Sequence, residues 1–341
     1  MKKNFSRLAL QLLLLALVLV NPLVHKAQLV VPWTWEFQGG PGGGPQPAGL
    51  DTASLPTLTG RFTSAVLGDL DDDGDKDFVS GSRAGKLFYY ENTGTPTAPF
   101  WVRSPLFTLD TILILPVGSS NEMRPRLVDI DADGDLDLFV GSRYDYSGFK
   151  LNDIHYYENI GTANSPVFTL SNLPGLIYNQ MGEFTGFGFG DMDNDLDLDI
   201  ITLGSDSAGY FENIGTPTAP DFQRRIGAAN PVDAWAFPDA LAPIPDLEDF
   251  DGDGDLDIFF GNDGGGIRFV ENTGTPTTMN FSPMVAQLLP GNLDTADFGN
   301  FIAGDFEDVT GDGFKDLVVG SFNPGVFTWY AAVVECQDTV V

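Results

Sequence analysis

The chain has 341 residues, 43% of them hydrophobic, enough to bury a sizeable core. Its 48 Asp and Glu against 17 Lys and Arg leave a net charge of -31, a surface that repels nucleic acid and anionic membranes. Cys336 is the only cysteine, so no internal disulfide can form.

Residues 1–27 read as a signal peptide. Lys2, Lys3 and Arg7 precede an apolar run from Leu8 to Val20, and Ala27 ends a small-residue cleavage site. The run is shorter than the roughly 20 residues a spanning helix needs. No later segment could insert in a membrane, so the chain is expected outside the cell or on its surface. Residues 28–38, with Trp33 and Trp35, read as one strand. Residues 39–60 form a Gly/Pro-rich linker, 61–332 a repeat array and 333–341 a tail.

The array holds five Asp-rich loops of nine residues, starting 60, 62, 58 and 59 residues apart. Counting positions 1, 3, 5, 7 and 9, loop one offers Asp69, Asp71, Asp73, Asp75 and Asp77. Loop two offers Asp129, Asp131, Asp133, Asp135 and Asp137. Loop three offers Asp191, Asp193, Asp195, Asp197 and Asp199. Loop four offers Asp249, Asp251, Asp253, Asp255 and Asp257, and loop five Asp308, Thr310, Asp312, Phe314 and Asp316. A second landmark, Glu-Asn-x-Gly-Thr, follows four loops at Glu91, Glu158, Glu212 and Glu271. Short apolar runs such as Leu138–Val140 and Ile258–Phe260 suit strands buried on both faces. An aromatic strand follows each, and a fourth strand starts near Phe100, Phe168, Phe222 or Phe281.

Four strands per period, repeated, predict an all-β propeller of five four-stranded blades. The fifth period lacks the Glu-Asn turn, with Tyr330 in its place, so the strand at 28–38 is expected to complete the last blade.

Carboxylates at alternate positions of a tight loop suit a hard cation that takes six to eight oxygens. Glycine at position 6 permits the sharp turn, position 7 adds a carbonyl, and aspartate at position 9 closes the cage with both oxygens. Such all-protein cages favour Ca²⁺ over Mg²⁺, which keeps its waters. An EF-hand would need an acid at position 12, where Ser80, Val140, Thr202, Phe260 and Val319 stand instead. Up to five Ca²⁺ ions are expected. Loops one, two and four rank above loop three, where Leu196 replaces glycine, and loop five, where Thr310 replaces aspartate.

The loops, their Phe-Gly and Gly-Asp flanks and the Glu-Asn-x-Gly-Thr-Pro turns resemble FG-GAP/VCBS repeats, as in integrin α-chain propellers and secreted bacterial proteins. The resemblance covers roughly residues 60–330. It implies a propeller, loop side chains at positions 1, 3, 5 and 9 with a carbonyl at 7 as calcium ligands, and adhesion or ligand binding. Some propellers of this kind are polysaccharide lyases, so enzyme and structural spacer stand as alternatives. No nucleophile motif, zinc cluster or phosphate loop appears, and His155 is the one histidine after the signal peptide. A monomer binding a protein or polysaccharide ligand is expected. Asp137 to Glu158 spans 21 residues where the equivalent distance in repeats one and four is 14. The surplus, with Tyr144, Tyr146 and Phe149, reads as a recognition loop.

Overall fold

A computed structural model describes residues 33–39, 62–82, 87–95, 99–104, 122–146, 149–176, 186–204, 208–233, 235, 244–250, 252–261, 267–281, 303–310, 315–320 and 327–334. The signal peptide, most of the linker and the tail beyond Val334 lie outside them. Among the described residues there is no α-helix, only a single 3₁₀ turn at Gly227–Ala229. None of their helices is long and apolar enough to cross a membrane.

The protein is an all-β propeller. Strand β1 (Trp33–Gly39) precedes sheet I, made of β2 (Phe62–Gly68), β3 (Asp77–Ser82), β4 (Leu87–Asn92) and β5 (Trp101–Arg103). Sheet II contains β6 (Glu122–Val128), β7 (Asp137–Tyr146), β8 (Phe149–Asn159) and β9 (Phe168–Ser171). Sheet III contains β10 (Gly186–Gly190), β11 (Asp199–Leu203), β12 (Ala208–Asn213) and β13 (Phe222–Arg225). Sheet IV contains β14 (Pro245–Glu248), β15 (Asp257–Gly261) and β16 (Ile267–Val270), and Phe281 bridges Asn272 as the last described residue of its stretch. Sheet V contains β17 (Ala303–Glu307), β18 (Asp316–Gly320) and β19 (Phe327–Val334), and β1 pairs antiparallel with β19 as its outer strand.

Every sheet is an antiparallel meander, and the Asp-rich loop joins its first two strands. After the aspartate that opens each one, the second strands carry a short apolar run, and both faces are covered: β11, β15 and β18 are buried at every residue. Apolar clusters fill the seams. Val66, Leu87 and Tyr89 meet Met123, Leu138 and Val140 between sheets I and II. Phe139 and Tyr156 meet Phe187 and Phe211 between II and III. Phe306 of sheet V lies 4.9 Å from Phe259 of sheet IV.

The first strands lie side by side. β2 contacts β6, β6 contacts β10, β10 contacts β14, β14 contacts β17, and β17 contacts β2. One buried cation ties these strands together. Arg126 on β6 donates to the carbonyls of Phe187 (3.3 Å) and Pro245 (2.8 Å) and to Asp305 Oδ1 (3.3 Å). Asp305 Oδ2 in turn accepts the Leu67 N–H at 2.7 Å, so two side chains link all five sheets. Gly188 lets the backbone of β14 approach β10 closely: a Cβ there would sit 2.8 Å from the Pro245 oxygen, the one that Arg126 engages. Burial pushes the carboxyls of Asp305 and of its neighbour Asp246 above the usual carboxylate range; Asp246 adds to the rise at Asp305, Glu307 adds to both, and Arg126 opposes it.

The surplus in sheet II is strand rather than loop. It prolongs the β7–β8 ladder through Tyr144↔Leu151 to Tyr146↔Phe149. The side chains of Tyr144, Tyr146 and Phe149 lie outside the described residues.

Candidate metal centres

Loops one to four are each shaped by their own first aspartate. Asp69 accepts the N–H of Asp73 at 3.2 Å and of Gly74 at 2.9 Å. Asp129, Asp191 and Asp249 repeat both bonds to positions 5 and 6. Position 5 then accepts from position 7: Asp73 takes the Asp75 N–H at 3.1 Å, and Asp133, Asp195 and Asp253 do likewise.

Two residues per loop pay for this tight winding with left-handed backbone. At position 6 these are Gly74 (φ 92°), Gly134 (φ 95°) and Gly254 (φ 94°), with Leu196 forced to φ 78° in loop three. Position 4 is also left-handed, at Asp72, Ala132, Asn194 and Gly252. The sequence pattern exposed only the first of these positions, because glycine marks it, whereas three of the four residues at position 4 carry a Cβ.

Position 9 anchors the loop to its sheet. Asp77 is fully buried; its Oδ1 accepts the Asn92 N–H at 2.8 Å, and its Oδ2 accepts the Leu70 N–H at 3.0 Å and the Tyr89 O–H at 2.8 Å. Asp137 receives Asn159 and Tyr156, Asp199 receives Asn213 and Tyr210, and Asp257 receives Asn272. The expected bidentate closing ligand is thus engaged by protein donors at both oxygens. The tyrosines and the turn asparagines were not singled out as site residues from the sequence, though both recur at fixed distances from the loops. The asparagines also brace the turn beyond: Asn92 Oδ1 accepts from Gly94 and Phe100, and three further repeats copy the pair. A Cβ at Gly161, Gly215 or Gly274 would strike a backbone carbonyl at 2.1–2.4 Å, so the turn needs glycine there.

The remaining carboxylates converge. Ligand atoms of Asp69, Asp71 and Asp77 lie within 4.8 Å of one another, as do those of Asp129, Asp131 and Asp133, and those of Asp191, Asp193 and Asp195. Asp71 Oδ1, Asp75 Oδ1, Asp193 Oδ1 and Asp197 Oδ1 are buried and accept no hydrogen bond. Burial, followed by repulsion from the neighbouring aspartates, pushes Asp75, Asp135 and Asp197 up to about 6. Burial likewise raises Asp77, Asp137 and Asp199 to about 7, against the pull of the donors just named. An oxygen-only donor set with buried, unpartnered carboxylate oxygens fits a hard divalent cation. The fit extends to position 7, whose side chain is turned inward, where the sequence reading assigned only a carbonyl. In loops four and five, Asp251, Asp312 and Phe314 lie outside the described residues. Thr310 donates its N–H to Asp316, as Val309 does.

The sequence profile of the FG-GAP-like repeat matches residues 69–140 and 249–319. Those two segments are similar to FG-GAP-like repeats. The first matched segment spans loops one and two and the second loops four and five; loop three, with Leu196, falls between them. Among solved structures, an Agrocybe aegerita lectin that recognises non-reducing terminal N-acetylglucosamine aligns at 15% identity over 82% of this chain and 81% of its own, with a TM-score of 0.39. The NanB sialidase of Streptococcus pneumoniae aligns at 12% identity over 82% of this chain and 47% of its own, with a TM-score of 0.30. Likenesses this distant carry no argument about what the chain binds. No curated protein sequence matches it.

Proposed function

We propose that the chain is an exported, calcium-loaded propeller of five blades in a closed ring, serving as a ligand-binding or adhesion module. The buried, unpartnered oxygens of Asp71, Asp75, Asp193 and Asp197 carry the calcium reading. Carboxylates would not be held together, desolvated and without donors, unless a cation offset their repulsion. Positions 1, 3 and 5, with positions 7 and 9, would hold the ion, which would supply charge neutralisation and tie each loop to its sheet. The succession of first-strand contacts returning from β17 to β2, and the pairing of β1 with β19, support closure at five.

Calcium titration followed by native mass spectrometry tests this reading. The expected result is stepwise uptake of up to five ions, with loops one, two and four filling first. A chain that takes up no Ca²⁺ at millimolar concentration would refute it. The ligand is a protein or polysaccharide, and arrays of both, probed with and without Ca²⁺, should give calcium-dependent capture by a monomer. Export through residues 1–27 predicts a secreted product that begins at Gln28.

A further inference from the structure

Register equivalence sets the two seams of sheet V apart. The residue paired with loop position 9 ends the first strand of each sheet: Gly68, Val128, Gly190, Glu248 and Glu307 in turn. Position 8 of the next sheet's loop packs beside it. A Cβ at Gly68 would meet Leu136 at 2.8 Å, and one at Gly190 would meet Leu256 at 2.6 Å. Val128 and Leu198 flank one shared cluster. At the last two seams the same positions are charged. Lys315 pairs with Glu248, and Lys76 with Glu307 at 3.3 Å. Two residues earlier on the first strands, Asp246 accepts the Phe306 N–H at 3.1 Å and Asp305 accepts the Leu67 N–H at 2.7 Å, while Arg126 holds the equivalent place in sheet II. Both charged seams border sheet V, the one assembled from the two ends of the chain.

We propose that sheet V is an electrostatic latch, held to sheets IV and I by paired charges at positions where the other seams use leucine, and released first when those charges are screened. The latch rests on the closed-ring reading. Its ion pairs are open to salt, with side-chain exposures of 31% and 29% for Lys76 and Glu307 and 46% and 22% for Lys315 and Glu248. At about 1 M salt the screening length falls to roughly 3 Å. Half-exposed pairs of this kind are worth about a two- to fivefold change in an opening equilibrium each. Leucine seams do not weaken in salt, because apolar contacts carry no charge to screen.

Hydrogen exchange of the full chain in excess Ca²⁺, at about 0.05 M and about 1 M NaCl, reads the latch directly. The ratio of exchange in β17–β18 to that in β10–β11 should rise about two- to fivefold or more with salt. Lys76→Leu with Glu307→Gly installs the leucine–glycine pair of the other seams and should suppress much of that rise. Lys76→Met, which keeps the stem and removes the charge, carries the same expectation should the double variant fail to fold. An unchanged ratio in the wild type, or a full rise in the variants, overturns the latch. A zero-length carbodiimide should join Lys76 to Glu307 as an amide, with loss of water, detectable by peptide mapping. Cross-linking with an unchanged exchange ratio removes the latch and leaves the ring; no cross-link removes the closed ring and the latch with it.

Discussion

Replacing Leu196 by glycine should stabilise the protein. Leu196 occupies loop position 6 at φ 78°, where three sister loops place glycine between φ 92° and φ 95°. A left-handed conformation costs a residue bearing a Cβ about 1–2 kcal/mol. Glycine removes that cost but loses about 0.5–1 kcal/mol more backbone entropy on folding. The leucine side chain is 79% exposed, so truncation forfeits little packing. The balance is a gain of about 0.5–1 kcal/mol, or roughly 1–4 °C in melting temperature for a domain of this size. Thermal melts of the wild type, Leu196→Gly and Leu196→Ala, each in Ca²⁺ and in chelator, measure it. Alanine keeps the Cβ and should not share the gain. If it gained as much as glycine, the benefit would come from removing an exposed apolar side chain, and the backbone account would be wrong.

Chelation should lower the melting temperature, since a ligand at a hundredfold excess over Kd stabilises by about 2.7 kcal/mol per site. Asp133→Ala should cost more calcium-dependent stability than Asp195→Ala, whose loop already carries the Leu196 strain; equal losses in paired melts would count against that ranking. Tyr89→Phe removes the donor to Asp77 Oδ2 and should cost about 1.5–3 kcal/mol in urea unfolding, the value of a bond to a charged group. A loss below 0.5 kcal/mol would mean the hydroxyl bond is immaterial. With metal removed, the loops also set a pH slope. Asp77, Asp137 and Asp199 sit at about 7 in the folded state, above the ordinary carboxylate value of about 3.9. The folded form therefore binds the extra protons, so this contribution is present at acid pH and is lost as pH rises from about 4 through about 7. Calcium, which needs the deprotonated ligands, should flatten or invert that slope. A chelated protein whose melting temperature climbs over this interval would contradict the burial argument.

Much of the architecture was legible because the repeat prints its own boundaries. Asp at positions 1, 3 and 5, glycine at 6 and the Glu-Asn turn locate the first three strands of each period without reference to packing. The fourth strand was legible in sheets I to III, near Phe100, Phe168 and Phe222, and in sheet IV Phe281 bridges Asn272 in the same register, with residues 282–302 outside the described ones. What the pattern hid depended on partners distant in sequence. Asp77 looks like any other ligand until Tyr89 and Asn92 are seen to fill its oxygens. Position 8 reads Lys, Leu, Leu, Leu, Lys around the repeats, but its meaning needs Glu248 and Glu307 on the preceding sheet. Arg126 and Gly188 are likewise unremarkable until the first strands are placed side by side. The length of the β7–β8 insertion was plain, and surplus length reads as a loop, although Arg143 to Tyr146 alternates polar and aromatic residues as a strand does.

The bond between Asp137 and the Asn159 N–H closes the β7–β8 hairpin at its root, beside the metal loop. The hairpin of sheet II has grown to Tyr146↔Phe149 while its loop keeps the same Asp129, Asp133 and Asp137 bonds as its shorter sisters. Each sheet is therefore a socket with a fixed base and a free upper end. A foreign peptide grafted between Tyr146 and Phe149 would lengthen the hairpin while leaving the bonds of the Asp-rich loop at its base as they are, and natural variants of such a chain could diversify there at little cost to folding.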